Sequence, residues 1–314
     1  MNAMKIAGFI LPALLATSLQ AGALAYVPNE VSGTVSVIDT ATDRVVKHLK
    51  VSERPRGIAV SPDGALLYVT DSPTRSLVVY DLNKEAVRTR WTVGESPEGA
   101  SLSHDGKFAA VAVEEDNSVV LIDTASGEQL AHIKVEGENP EHAVFSPDGK
   151  WLYASAEDAE QVDVIDVGQR KQVAHIPVGK RPRGIAFTPD GSRAYVACEL
   201  ADTVYAIDVA THTVITPIPA GKFSNGLAIT PDGARVFVSN GKDRTVMAID
   251  TASNTVIGTM PVGKRPWNMA ITPDGKKLYV ANGRSDTVTV MDTEAIKTLG
   301  EIPVQERPWG VVIR

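Results

Sequence analysis

The sequence predicts an all-β chain, a single seven-bladed β-propeller of four-stranded antiparallel blades. Three observations carry that prediction. An Asp that closes a β-branched run recurs at Asp39, Asp81, Asp123, Asp166, Asp208, Asp250 and Asp292, at spacings of 42, 42, 43, 42, 42 and 42. A tetrad of Ser or Thr, Pro or His, Asp and Gly occurs six times, at Ser61–Gly64, Ser103–Gly106, Ser146–Gly149, Thr188–Gly191, Thr230–Gly233 and Thr272–Gly275. A turn centred on Pro appears seven times, from Arg54-Pro55-Arg56-Gly57 to Arg307-Pro308-Trp309-Gly310, with Phe223-Ser224-Asn225-Gly226 the variant that has Ser for Pro. The 291 residues from Leu24 onward divide into seven repeats of about 42, and four short strands every ~40–45 residues is the period of a propeller blade.

Taken in chain order, residues 1–23 read as a secretory signal peptide. Lys5 supplies the positive start and Ile6–Leu15 the apolar stretch, and two small-x-small sites allow cleavage after Ala23 or Ala25. Thr17, Ser18 and Gln20 leave the stretch short of the ~20 apolar residues that span a bilayer, so the expected location is the periplasm, with no membrane span after removal of the signal. The mature domain is then 24–314. Its first segments enter mid-repeat: Leu24–Asn29 matches a second strand, Thr34–Asp39 a third and Val45–Val51 a fourth. The first complete repeat reads Gly57–Ser61, Ala65–Thr70, Leu77–Asp81 and Ala86–Val93. Its first two strands are joined by Ser-Pro-Asp-Gly, where Pro presets φ and Gly closes a type I turn. After Pro308 one strand remains, Gly310–Arg314. The seventh blade is therefore expected to be built from both ends of the chain, leaving no open sheet edge.

Composition narrows the function classes. The chain is 43% hydrophobic and 22% charged, an ordinary globular balance that excludes wholesale disorder. Its net charge of −7, or −8 once Lys5 is removed, gives no overall attraction to nucleic-acid phosphates or anionic lipid. Cys198 is the single cysteine, which excludes an internal disulfide framework and any CxxC motif.

Several repeats carry a recognisable second strand: Tyr68-Val69-Thr70-Asp71, Tyr195-Val196-Ala197-Cys198, Phe237-Val238-Ser239-Asn240 and Tyr279-Val280-Ala281-Asn282. With Thr-Pro-Asp-Gly and Val-Ile-Asp-Thr, they resemble the YVTN β-propeller family over the whole mature chain. The ending Arg307-Pro308-Trp309-Gly310-Val311-Val312 is similar to a subgroup associated with quinoprotein (PQQ-dependent) alcohol catabolism. The resemblance implies a periplasmic propeller; family members include proteins of unknown role and one reported to bind DNA.

The candidate chemistry is thin for an enzyme. The seven closing Asp residues suit Asx-type turns, their carboxylates accepting backbone N–H bonds. His48, His132 and His175 fall on outermost strands of different blades, ~14 Å from the innermost strand, and cannot share a metal. Of the histidines only His142, which replaces Gly in its Pro-turn, could look into the channel. Cys198 reads as a buried strand-end thiol. No G-x-S-x-G, H-E-x-x-H or P-loop is present, and neither a metal nor a cofactor is expected.

The Pro-turns are the informative loops, because they ring one mouth of the channel together with the loops after each second strand. With the blade beginning at Gly57 counted as the first, blades two and three place Glu98, Glu114, Glu141 and Glu157 there. The turns entering blades four to six place Lys180, Arg181, Arg183, Lys222, Lys264 and Arg265. This predicts an electrically split rim, with Arg183 and Arg265 in exposed turns. Arg54, Arg56, Arg181, Arg183, Phe223, Arg265, Trp267, Arg307 and Trp309 are the expected ligand- or partner-binding residues. The rings act either as stacking platforms or as plugs of the mouth.

These residues point first to a non-enzymatic periplasmic binding protein, a monomer whose rim docks a protein partner or a small anionic ligand. Two other classes compete. A lactonase-like hydrolase or lyase is compatible with the fold, with Glu98, Glu141, His142, Asn240 and Asn282 as the available pieces. Single-stranded nucleic acid could stack on Arg183, Phe223, Arg265, Trp267 and Trp309, against the net charge.

Overall fold

The computed structural model describes residues 23–314; the expected signal peptide falls almost wholly outside the described residues. Among them are 28 strands in seven four-stranded sheets. Six sheets each use four consecutive strands, all antiparallel, as in Pro55–Val60, Leu66–Asp71, Ser76–Asp81 and Ala86–Thr92. The seventh is ordered Val312–Ile313, Leu24–Asn29, Thr34–Asp39, Arg44–Lys50. Both chain ends share that blade as the repeat pattern predicts, and Ala25 pairs Ile313 while Tyr26 pairs Val312. Leu24 N–H donates to Arg314 O at 2.7 Å and Arg314 N–H to Leu24 O at 2.9 Å, which closes the ring. Among the described residues no helix is long and apolar enough to cross a membrane.

Burial follows strand position. Second and third strands are sealed on both faces, as in Leu66–Asp71 (LLYVTD) and Ser76–Asp81 (SLVVYD). Outer strands alternate exposed and half-buried, as in Ala86–Thr92. This is what a radial stack of twisted sheets requires, since each blade packs both faces on its neighbours and only its rim meets water. The core is accordingly a set of inter-blade clusters, one of which joins Tyr26, Val35 and Leu49 of the seventh blade to Ile58, Leu67 and Val78 of the first.

The turns hold the expected chemistry. Gly64 N–H donates to Ser61 O at 2.8 Å, with Gly64 at φ +72°, a region that favours glycine. Asp81 Oδ1 accepts from the N–H groups of Asn83 and Lys84, each at 3.0 Å. Asp39, Asp123, Asp166, Asp208, Asp250 and Asp292 accept similar bonds. All seven therefore serve structure. His48, His132 and His175 stand on outer strands of separate blades. Cys198 is fully buried, and burial pushes its thiol up to about 12, so it is no nucleophile at neutral pH.

Candidate functional site

Two sets of equivalent positions meet at the channel mouth on the Pro-turn face. The first is the residue after the turn Pro (Ser224 in the fifth blade), at the start of each inner strand. Over blades one to seven it is Arg56, Glu98, Glu141, Arg183, Asn225, Trp267 and Trp309. The second is the residue just past each second strand: Ser72, Glu114, Glu157, Glu199, Gly241, Gly283 and Glu30 in the same order. The same turn recurs in every blade, although the seventh blade's inner strand is only Val312–Ile313, so the repeat explains none of the variety in either set. Side chains from both line a cavity of about 270 Å³.

Two glycines of the second set make room for long side chains, Gly283 for one of its own blade and Gly241 for one of the next. A Cβ on Gly283 would stand 2.3 Å from the Trp267 indole, and one on Gly241 3.2 Å from Arg265 Cδ. Gly241 thus lets Arg265 of the sixth blade pass over the fifth to reach Glu199 of the fourth, at 2.5 Å.

The expected split into an acidic and a basic side does not hold. Arg183 Nη1 meets Glu141 of the third blade at 2.6 Å and also pairs with Glu157, while its Nε meets Glu199 at 3.1 Å. Arg181 Nε lies 3.0 Å from Glu157 and 3.4 Å from Glu199. Arg56 joins Glu30 at 3.0 Å and pairs with Glu98. Arg54 reaches Glu30 at 2.6 Å and Arg307 reaches it at 3.8 Å. Opposite charges from different blades therefore interdigitate, as the high cost of an unpaired buried charge demands. Arg183 and Arg265 are not open to solvent either: their side chains are only 13% and 18% exposed.

One carboxyl in this network is incompletely served. Glu98 is 1% exposed; its Oε1 pairs with Arg56, while its Oε2 is buried without a partner. Burial, then the neighbouring Glu141, pushes it up to about 8 despite Arg56. Burial and Glu141 likewise push Glu157 up to about 7. Glu141 stays below the usual carboxylate range, since Arg183, His142 and Arg56 outweigh its burial. Where adjacent carboxyls compete, the one with least guanidinium contact keeps the proton, which here is Glu98. Burial holds His142 below its ordinary value, and its ring stacks on Trp309 at 5.6 Å between centroids.

Of the expected site residues, Arg56, Arg181, Arg183, Arg265, Trp267, Trp309, Glu98, Glu114, Glu141 and Glu157 all line the cavity. Arg54 and Arg307 stand behind it on Glu30. Phe223 lies outside, flanked by Arg265 at 5.2 Å and Lys242 at 5.4 Å. Trp309 is 9% exposed and packed on His142, so it is a wall and no open stacking platform. Sequence reasoning passed over Glu30, Glu199, Asn225 and Asn268. The first two were legible in register, as the partners of Glu114 and Glu157 in other repeats. Among the described residues, no three His, Cys, Asp or Glu are grouped to hold a metal ion.

Two family models match parts of the chain: "Lactonase, 7-bladed beta-propeller" over residues 168–302 and "SMP-30/Gluconolactonase/LRE-like region" over residues 17–158. Both are β-propeller families, in keeping with the fold. No curated protein matches the chain. Among solved structures, the chain is similar to a chain of Kuenenia stuttgartiensis hydrazine synthase, with 25% identity and a TM-score of 0.79 over 91% of this chain and 99% of that one. A functionally unknown protein from Desulfotomaculum acetoxidans shares the fold, with 17% identity and a TM-score of 0.81 over 92% and 98% of the two chains.

Proposed function

We propose that the protein is a periplasmic binding propeller that holds a small anionic molecule in the channel mouth on its Pro-turn face. One observation carries the reading. Seven equivalent inner-strand positions bear Arg, Glu, Glu, Arg, Asn, Trp and Trp around one cavity of about 270 Å³, although the repeat needs none of them. By contrast, the closing Asp and the Pro-Asp-Gly turns recur because each blade needs them. A cavity of that size has room for about nine waters at ~30 Å³ each, which favours a small molecule over a protein loop. Arginines already oriented by carboxylates are pre-organised to recognise an anion. The signal-like start supports secretion. The YVTN-like repeats and the Arg307–Val312 ending support a place beside quinoprotein alcohol oxidation, whose fully oxidised products are carboxylates.

The test is calorimetric titration of small organic acids into the purified mature protein. Binding is expected, weakened at least tenfold by Trp267→Ala or Arg265→Ala and unchanged by Asp190→Ala on the opposite face. Binding lost in the Asp190 variant and kept in the other two would move the working face to the other end of the propeller.

Lactone hydrolysis is the second reading, favoured by the two lactonase-type matches and by Glu157. A carboxyl that titrates at about 7 beside a cavity suits a general base at neutral pH. Acid release from a δ-lactone, abolished in Glu157→Gln while organic-acid binding persists, would establish it. No release in the wild-type protein would leave binding alone.

A further inference from the structure

We infer that the ligand of the channel mouth is a small monocarboxylate, and that it binds only while Glu98 carries a proton, which the Oε2 hydroxyl donates to the ligand. The inference rests on the binding function proposed above and adds the ligand's charge and the group that recognises it.

The starting point is a carboxyl oxygen of Glu98 that has neither a hydrogen bond nor an ion pair, unlike Glu157 Oε1, which pairs with Arg183. Glu98 is 1% exposed, lines the cavity, and has Oε2 buried without a partner. A buried polar atom without a partner is destabilising, so its persistence asks for an occupant. The facing groups decide which kind. Arg56 of the first blade pairs with Oε1. Glu141 of the third blade and Glu114 of its own blade bring negative charge close, and both disfavour ionisation of Glu98. Ser96 Oγ donates to Glu114 at 3.0 Å and, weakly, to Glu98 Oε1 at 3.4 Å. A protonated Glu98 is thus a hydrogen-bond donor in the cavity wall.

Charge balance selects an anion over a cation. Six arginines and six glutamates, Glu114 among them without an arginine of its own, meet around the mouth, so above pH 7, with Glu157 ionised, a proton on Glu98 leaves one formal positive charge in excess. Arg265 Nε is also buried without a partner. A donor hydroxyl, an unused guanidinium N–H and one surplus charge are together matched by a monoanion with two planar oxygens. A phosphate dianion would overshoot the charge. A cation would need Glu98 ionised.

The two signs of ligand have opposite proton linkage, and that makes the test. Acetate, glycolate and benzoate, with inorganic phosphate and choline as contrasts, are titrated calorimetrically into the mature protein from about pH 6 to about pH 9.5. In wild type at least one carboxylate should bind below about pH 8, then weaken by about tenfold per unit above it. The same titration near pH 9 in buffers of different ionisation enthalpy should count close to one proton taken up. Glu98→Gln, a permanently neutral isostere, should bind the carboxylate without the fall at high pH. Carboxylate binding with no break near pH 8, or a break that survives in Glu98→Gln, overturns the proton-linked role and leaves the mouth as a binding site. Choline tightening with pH while carboxylates fail, or phosphate outbinding every carboxylate, overturns the ligand class. Failure of every probe at every pH overturns this inference and the binding function together.

Discussion

Gly283 illustrates how little of the mouth the repeat itself dictates. Its equivalents are Ser72, Glu114, Glu157 and Glu199, yet here any side chain would collide with the Trp267 indole, 2.3 Å from a Cβ. The glycine is there for the tryptophan. Gly283→Ala should force the indole off its backbone shelf at a cost of about 1–3 kcal/mol, read as a lower unfolding midpoint with altered tryptophan fluorescence. An unchanged spectrum would mean that Trp267 is not seated on Gly283. Arg183 is the residue whose environment departs most from expectation. In place of an exposed turn it has Glu141, Glu157 and Glu199 around it, and these raise its pKa against its own burial. Arg183→Glu would leave four carboxyls facing one another, so a loss of roughly 3–5 kcal/mol is expected, where an exposed turn would lose almost nothing. Unfolding within about 0.5 kcal/mol of wild type would restore the exposed-turn picture.

Among the elements, the closing turns and the closing strand carry different loads. Each closing Asp is a local device; Asp250 accepts from Ser253 N–H at 2.8 Å and from Ser253 Oγ at 2.7 Å. Its loss in Asp250→Ala should cost about 1 kcal/mol. The strand Val312–Ile313 is a global device. It covers Leu24–Asn29, and Val311 and Ile313 pack into the core between the sixth and seventh blades. Deleting residues 310–314 bares a sheet edge and that apolar surface together. It should lower the thermal midpoint well beyond Asp250→Ala and promote association at the bare edge. A truncated protein that unfolds like the full chain would contradict the two-ended blade.

For the whole molecule, the mouth is where blades are tied by charge as well as by packing. Glu30 of the seventh blade, Glu98 of the second and Arg56 of the first are joined, and Glu199 of the fourth is joined to Arg265 of the sixth. The linkage to pH has a definite sign. Glu98 and Glu157 are pushed up to about 8 and about 7, above their unfolded value of 4.5. Between those limits the folded state holds protons that the unfolded chain has released. Their contribution is therefore full below about pH 4.5 and is lost as pH rises through 7 to 8. Wild type should lose thermal stability relative to Glu98→Gln across that range. A gap that does not change with pH would mean that Glu98 ionises normally.

The sequence by itself determined the architecture. Repeat length, turn chemistry and strand count are local properties written seven times, and the strand at each end could be placed because the missing parts of one repeat are complementary. It also singled out one mouth of the channel as the candidate site, since Trp267, Trp309, Glu98 and Arg183 all fall in Pro-turns where nothing in a blade calls for them. Only the tertiary structure decided how those residues meet. Charge segregation along the chain suggested two separate sides, but ring closure sets the blades ~42 residues apart in sequence shoulder to shoulder, and long arginines cross from one to the next. Glu30 and Glu199 became site residues in this way, and Phe223 ceased to be one. The unserved oxygen of Glu98 could not be read from any stretch of sequence, because it is what remains after contributions from several blades are satisfied.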